Sequence, residues 1–158
     1  MKLYFVRHGK ASQVAPSDAE RPLTSGGVES VKHMAQVLHK AGCHPTKIYS
    51  SPRLRASQTA HLIADELGID AEINAACNFS FNAAAALQLC SGFDDEAEIM
   101  FVGHNPSMSD VVESITGASV QLSTGAVVCV TNIYPPMTRG ATLKWLLTPK
   151  VIDAIFLE

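Results

Sequence analysis

The sequence is poor in charge, and what charge it has is dispersed. Only 17% of its 158 residues are Asp, Glu, Lys or Arg, and the formal net charge is −3. No Lys/Arg cluster forms a stripe, which argues against a nucleic-acid partner or an anionic membrane surface. The cysteines Cys43, Cys77, Cys90 and Cys129 are scattered, with no C-x-x-C pair. That scatter argues against a zinc site and favours reduced thiols in the cytoplasm over a disulfide framework. No apolar run is long enough to span a bilayer. The first apolar run ends at Arg7 after four residues, so it does not read as a signal peptide. Repeats, linkers and low-complexity tracts are also missing. What remains is one globular domain, residues 1–158, with enough chain to bury a core. The low charged fraction suits a well-buried sheet.

What is present is concentrated in Lys2–Ser12, KLYFVRHGKAS. Leu3-Tyr4-Phe5-Val6 is aromatic and β-branched, too short for a helix, and reads as a buried strand. Arg7, His8 and Gly9 follow directly. A cation and an imidazole at the carboxyl end of a buried strand sit where open α/β sheets bind ligands. Gly9 would let the chain turn sharply or approach a bound group. In this reading His8 is a nucleophile and Arg7 holds the phosphoryl group it receives.

Gln13–Arg21 is a polar loop, closed by Arg21-Pro22-Leu23-Thr24. Thr24 or Ser25 can cap a helix whose face is Val28, Val31, Ala35 and Leu38, ending at Gly42. Gly26 and Gly27 weaken its first turn by roughly 1 kcal/mol each relative to alanine, and the sequence shows nothing that compensates. Thr46–Ser50 is a second strand. Ser51 as N-cap and Pro52 as first helical residue start a helix with Ala56, Ala60, Ile63, Ala64 and Leu67 on one face and Gly68 as its stop. Arg55 falls on the first turn, near an anion-attracting N-terminus, whereas Arg53 reads as a solvated surface cation. Asp70–Ile73 is a short third strand, Asn74–Asn82 is irregular, and Ala83–Cys90 is helical. Glu98–Val102 is a buried strand ending in Gly103-His104-Asn105-Pro106. Asn105 can cap and Pro106 can start the next helix, which Gly117 ends. Ala126–Ile133 and Thr142–Leu147 complete the sheet.

Three times a short buried strand runs into a junction that carries ligand-type side chains. The junctions supply Arg7 and His8, then Ser51 and Arg55, then His104. Parallel strands put their carboxyl ends on one edge, so the three would converge on one pocket. Two arginines, two histidines and a helix N-terminus suit a phosphoryl dianion. Nearby arginines disfavour the imidazolium and should keep His8 neutral. Arginines and an in-line imidazole can carry phosphoryl transfer without a metal, and no cofactor is expected. His104 would donate to a phosphate oxygen. His33, His39, His44 and His61 read as surface or helix-face residues.

Arg7-His8-Gly9, then Ser51-Pro52 with Arg55-Ala56 and Gln58-Thr59, then Gly103-His104-Asn105-Pro106 resemble the marks of the histidine phosphatase superfamily, with its phosphoglycerate-mutase-like fold. Within it, the short chain is similar to the SixA-type phosphohistidine phosphatases in Arg21-Pro22-Leu23-Thr24, in Ser123-Thr124-Gly125-Ala126 before a strand, and in Leu143-Lys144-Trp145 followed by Thr148-Pro149. The resemblance implies a single-domain α/β/α sandwich around a mainly parallel sheet, with a minimal cap. It implies a covalent phosphohistidine on His8, and catalytic Arg7, Arg55 and His104 around the phosphate. Arg21 and Asn105 join Arg7, Arg55 and His104 as substrate-binding residues. Many relatives carry a general-acid Glu after the third strand or an Asp beside the second histidine. This sequence has Asn74-Ala75-Ala76-Cys77-Asn78 and Asn105 there, which leaves Asp18 as the candidate acid, with Glu20 and Glu72 behind it.

The function expected from all this is a metal-independent, cytoplasmic signalling phosphatase acting on phosphohistidine in a protein. A histidine-containing phosphotransfer protein is the kind of partner implied, with phosphate as product. Two alternatives stand beside it. One is hydrolysis of a small phosphoester by the same mechanism, and the other is a phosphate-binding or docking module with little turnover.

Overall fold

Leu3-Tyr4-Phe5-Val6 forms the middle of strand β1 (Lys2–Arg7), and all four side chains are buried. A computed structural model describes residues 1–157 of the chain. The other strands are β2 (Lys47–Ser50), β3 (Ala71–Ile73), β4 (Glu98–Gly103), β5 (Val127–Thr131) and β6 (Thr142–Leu147). They lie in one sheet in the order β3-β2-β4-β1-β5-β6. β3, β2, β4 and β1 are mutually parallel neighbours, and β5 and β6 add antiparallel pairings.

Five helices cover the sheet: α1 (Ser25–Lys40), α2 (Leu54–Leu67), α3 (Ala83–Cys90), α4 (Ser107–Thr116) and α5 (Pro149–Ile155). Strand alternation sorts the two layers. Tyr4 and Val6 face one layer, where they pack with Met34 and Leu38 of α1, Ala60 and Ile63 of α2 and Ile152 of α5. Leu3 and Phe5 face the other, with Leu87 of α3 and Met108, Val111 and Ile115 of α4. This is the expected α/β/α sandwich around a mainly parallel sheet. The described connections carry short 3₁₀ turns at Asp18–Glu20 and Ala75–Cys77 instead of a large cap.

The chain leaves β1 through α1 on one face and leaves β4 through α4 on the other. β1 and β4 are adjacent and parallel, with Arg7 opposite Gly103. Their carboxyl ends therefore form the crevice in which doubly wound sheets bind ligands. Hydrogen bonds continue one residue past the strands, from His8 N to Gly103 O at 2.9 Å and from Ser51 N to Val102 O at 2.9 Å. His8, Ser51 and His104 thus leave the same sheet edge side by side.

Some boundaries differ from the sequence reading. α2 begins at Leu54, with Arg53 at the N-cap, and the Ser51 oxygen both accepts from Arg53 N at 3.3 Å and pairs with His104. α4 begins at Ser107 with Pro106 at its N-cap. The sequence reading contains no α5, although Thr148 followed by Pro149 carries a helix-start signal. α5 docks through Asp153, whose carboxylate accepts from Ser30 Oγ at 2.9 Å and pairs with His33 Nδ1 at 2.9 Å.

The glycine pair in α1 is explained by close approach. A Cβ on Gly27 would lie 2.3 Å from the Lys10 carbonyl oxygen, whereas one on Gly26 would meet nothing closer than 4.0 Å. Thr24 caps the helix by accepting from Gly27 N at 2.9 Å. Gly27 is the position that lets α1 lie against the segment following His8. Gly27→Ala should therefore cost about 1–3 kcal/mol of overpacking strain, while Gly26→Ala should stabilise by up to about 1 kcal/mol. Urea unfolding of the two variants checks this, and shifts of the same sign would refute it.

Candidate active site

His8 lies just past the end of β1, and its ring is buried. Its Nδ1 is 2.7 Å from the carbonyl oxygen of Gly9. A carbonyl has no proton to give, so Nδ1 carries the hydrogen and Nε2 keeps its lone pair. That lone pair accepts a long hydrogen bond, 3.3 Å, from Nε of Arg55. Gly9 itself is clamped, because its N–H donates to Thr59 Oγ1 at 3.0 Å and the Thr59 hydroxyl donates to Arg55 O at 2.8 Å. Gly9 does not adopt a left-handed backbone, so the sharp-turn reading of it is corrected. A Cβ there would come within 2.8 Å of Val31, and glycine is needed for packing against α1.

His104 follows β4, and its ring lies 5.3 Å from that of His8. Its Nε2 is 2.8 Å from Ser51 Oγ. The same Ser51 oxygen accepts from Arg53 N at 3.3 Å and keeps its own proton and a second lone pair, so it can donate to His104 Nε2 or accept from it. With the hydroxyl donating, Nδ1 of His104 bears the hydrogen. Among the described residues, the buried side-chain nitrogens and oxygens without a partner are that Nδ1 and Nε of Arg7. An unsatisfied buried polar group costs about 1–3 kcal/mol, so two of them at one site favour a ligand that accepts hydrogen bonds. Arg7 is held at its other end by Nη1 donating to Leu122 O at 2.9 Å. Asn105 Nδ2 donates to the same carbonyl at 3.1 Å, and Asn105 Oδ1 accepts from Ser109 Oγ at 3.1 Å.

Arg7, His8, Arg21, Arg55, His104 and Asn105 all line one pocket of about 650 Å³. Lys10, Gln13, Phe79 and Thr124 also line it, and among its described lining residues there is no carboxylate. Asp18 stands behind this wall as a charge clamp. Its carboxylate accepts from Arg21 Nη1 at 3.2 Å and Arg55 Nη2 at 3.2 Å, and it pairs with Arg53. Its backbone oxygen accepts from Arg55 Nη1 at 2.8 Å. Desolvation pushes the Asp18 carboxyl up, but hydrogen bonds from Arg21 and Arg55 and the charges of Arg55 and Arg53 outweigh it, and the net shift is downward. Asp18 lies outside the pocket lining and serves as the ion-pair partner of three arginines. Glu72 pairs with Lys47 at the edge of the sheet, and neither Glu20 nor Glu72 lines the pocket.

The imidazoles are held neutral, though not chiefly by the arginines. Burial is the largest cause of the depression of His8, to about 4, and the charges of Arg55, Arg7 and Arg21 add to it against the opposing Gly9 hydrogen bond. Burial likewise leads for His104, depressed to about 3, followed by His8, Arg55 and Arg53. Desolvation also lowers Arg7 from its usual value.

Arg53 is not the solvated cation that the sequence suggests. It is half-buried, Nε donates to Asn78 Oδ1 at 2.9 Å, and the guanidinium stacks 3.9 Å above the Phe79 ring. Sequence reasoning missed Phe79 and the clamping role of Thr59. Thr59 sits one turn after Arg55 on the same helix face, which was the available signal. Nothing in the irregular segment around Phe79 marked it.

Comparisons with known proteins bear on the family and the fold. The family model of the histidine phosphatase superfamily (branch 1) matches residues 3–78. An uncharacterised protein of Picosynechococcus sp. is 34% identical over 137 residues, covering 81% of this chain and 83% of that protein. The phosphohistidine phosphatase SixA of Escherichia coli is 26% identical over 156 residues, or 94% of each chain. The solved structure of the protein histidine phosphatase SixA complexed with tungstate superposes with a TM-score of 0.86 at 25% identity, over 96% of this chain and 99% of that one.

The tautomer assignment is testable without a substrate. Nitrogen-15 NMR of the imidazoles should show His8 protonated on Nδ1 and unprotonated on Nε2 at pH 7, with its midpoint near the depressed value of about 4. Hydrogen on Nε2 at pH 7 would contradict the tautomer, and a midpoint near the ordinary 6.5 would contradict the depression by burial. The sign for stability follows. Unfolded, these imidazoles bind protons below about pH 6.5 while the folded ones do not, so stability should fall as pH drops from about 6.5 towards 4.

Proposed function

Because this chain belongs to the histidine phosphatase superfamily, we propose that it is a metal-independent phosphatase that passes the phosphoryl group through His8 and acts on phosphohistidine in a protein. The observation that carries this reading is the His8 ring, with Nδ1–H on the Gly9 carbonyl and the Nε2 lone pair turned to Arg55 in a pocket lined by cations. The likeness to SixA over 94% of both chains supports the substrate. A phosphorylated protein, such as a histidine-containing phosphotransfer protein, is the proposed partner. The cytoplasm is the proposed location, in keeping with four free, buried thiols.

In this mechanism Nε2 of His8 attacks phosphorus as the P–N bond to the substrate ring breaks. Solvent protonates the far nitrogen of that ring beforehand, so it departs as neutral imidazole. The phosphorylated His8 ring becomes cationic, and its Nδ1–H bond to the Gly9 carbonyl offsets that charge. Arg7 and Arg55 stabilise the equatorial oxygens, and His104 Nδ1–H donates to one of them. Water then attacks phosphorus, the P–Nε2 bond breaks, and phosphate leaves with the proton lost to solvent. Arg21 and Asn105 hold the rim of the pocket. Asp18 keeps the guanidiniums spread before the dianion arrives, which lowers the reorganisation needed when it binds.

The ionised Asp18 and the carboxylate-free lining bear on substrate choice. An alkyl phosphate leaves as an alkoxide and needs a proton, a service worth about 10²–10⁴-fold from a positioned acid. Imidazole needs no such help. The kcat/KM for a phosphohistidine protein should exceed that for phosphoserine or a sugar phosphate by at least about a hundredfold. His8→Ala should abolish turnover, and Arg55→Ala should reduce it about a hundredfold or more. Alkyl phosphates hydrolysed as well as phosphohistidine would overturn the substrate assignment in favour of a small phosphoester. Wild-type rates in His8→Ala would overturn the nucleophile.

A further inference from the structure

Phe79 is a large apolar side chain left 51% exposed at the mouth of the pocket. Such exposure is ordinary for a residue on a loose loop. Here the ring is fixed from several sides. Its N–H donates to Asn78 Oδ1 at 2.9 Å, and its carbonyl accepts from Ser107 Oγ at 2.6 Å. The same Asn78 oxygen accepts from Arg53 Nε at 2.9 Å, which seats the guanidinium 3.9 Å above the Phe79 ring. Asp18 pairs with the far side of that guanidinium. The Phe79 ring also meets His104 edge-on, with centroids 4.6 Å apart. Fixing one exposed phenyl thus takes Asn78, Arg53, Asp18, His104 and Ser107 together.

In-line displacement places the leaving group opposite the nucleophile. His8 and Phe79 line the same pocket, His8 buried and Phe79 half-exposed, with the His104 ring 5.3 Å from the one and 4.6 Å from the other. A leaving group opposite His8 Nε2 departs towards the open side of the pocket, and Phe79 is the exposed aromatic in that lining. A planar ring arriving there meets an aromatic surface whose position is already set. Aromatic pairs contribute about 0.5–1.5 kcal/mol beyond the area they bury. An alkyl leaving group gains no such contact.

We propose that Phe79, held by Arg53 and Asn78, forms a leaving-group subsite that selects planar aromatic rings on the phosphoryl donor. The inference rests on the P–N phosphatase reading above and adds to it the residue that recognises the ring. It separates two sources of preference for phosphohistidine. One is the weak demand of imidazole for a proton, which any P–N donor shares. The other is recognition of the ring, which only some donors can use.

The test compares N-phosphoimidazole with phosphoramidate, two P–N donors that differ in having a ring. In Phe79→Leu, kcat/KM for N-phosphoimidazole should fall about threefold to tenfold, the converted aromatic contribution. The value for phosphoramidate should stay within about twofold of wild type by the same scale. Phe79→Tyr should keep the wild-type ratio between the donors. Retained phosphoramidate turnover also reports that the variant is folded. Equal losses on both donors, or none on either, would overturn the subsite while leaving the phosphatase reading intact. A wild-type protein that cleaves neither donor would overturn the subsite, and one that also leaves a phosphohistidine protein uncleaved would overturn the phosphatase reading.

Discussion

The site depends on one hydrogen bond, from His8 Nδ1–H to the carbonyl oxygen of Gly9 at 2.7 Å. It selects a single tautomer, and the tautomer decides which nitrogen can act. The bond is short-range in sequence but long-range in support. The Gly9 amide donates to Thr59 Oγ1, and Thr59 is anchored on the Arg55 carbonyl in α2. The helix that brings Arg55 to His8 Nε2 thereby also fixes the peptide that orients His8. Val31 of α1 fills the space a Gly9 side chain would take, so a second helix presses on the same peptide. An imidazole held in this way spends little freedom on keeping a single orientation.

The second constraint is electrostatic. Burial keeps both imidazoles neutral, and the cations around them would otherwise repel one another. Asp18 relieves that repulsion by accepting from Arg21, Arg53 and Arg55 at once. Its carboxylate lies outside the pocket lining, so it spreads the guanidiniums without supplying a negative wall to an incoming anion. The same ion pairs hold three guanidiniums close together beside the pocket.

The sheet and the convergence of three strand ends were legible because each strand is a short apolar run ending in a polar junction, and parallel strands share an edge. Arg7, His8, Arg55 and His104 were read this way, and they line one pocket. Ser51 was legible as an acceptor for a helix-start N–H, which it is for Arg53, but not as the partner of a histidine 53 positions away. Arg53 was misread as solvated because its partners, Asp18 and Asn78, come from two separate loops. The pairing of Asp18 with Arg21, Arg53 and Arg55 was not legible because only the fold brings the three arginines to it. Phe79 was invisible for a related reason. Its segment lacks periodicity, and its value lies in what surrounds it in space.

The most direct test of the central claim is the position of phosphorus on the ring. The phosphoenzyme, trapped under alkaline conditions during turnover of a phosphohistidine donor, can be read by phosphorus–proton and phosphorus–nitrogen NMR correlations. The account predicts a single adduct on Nε2 of His8, with the hydrogen still on Nδ1. Phosphorus on Nδ1, phosphorus on another residue, or turnover with no phosphoenzyme at all would contradict it.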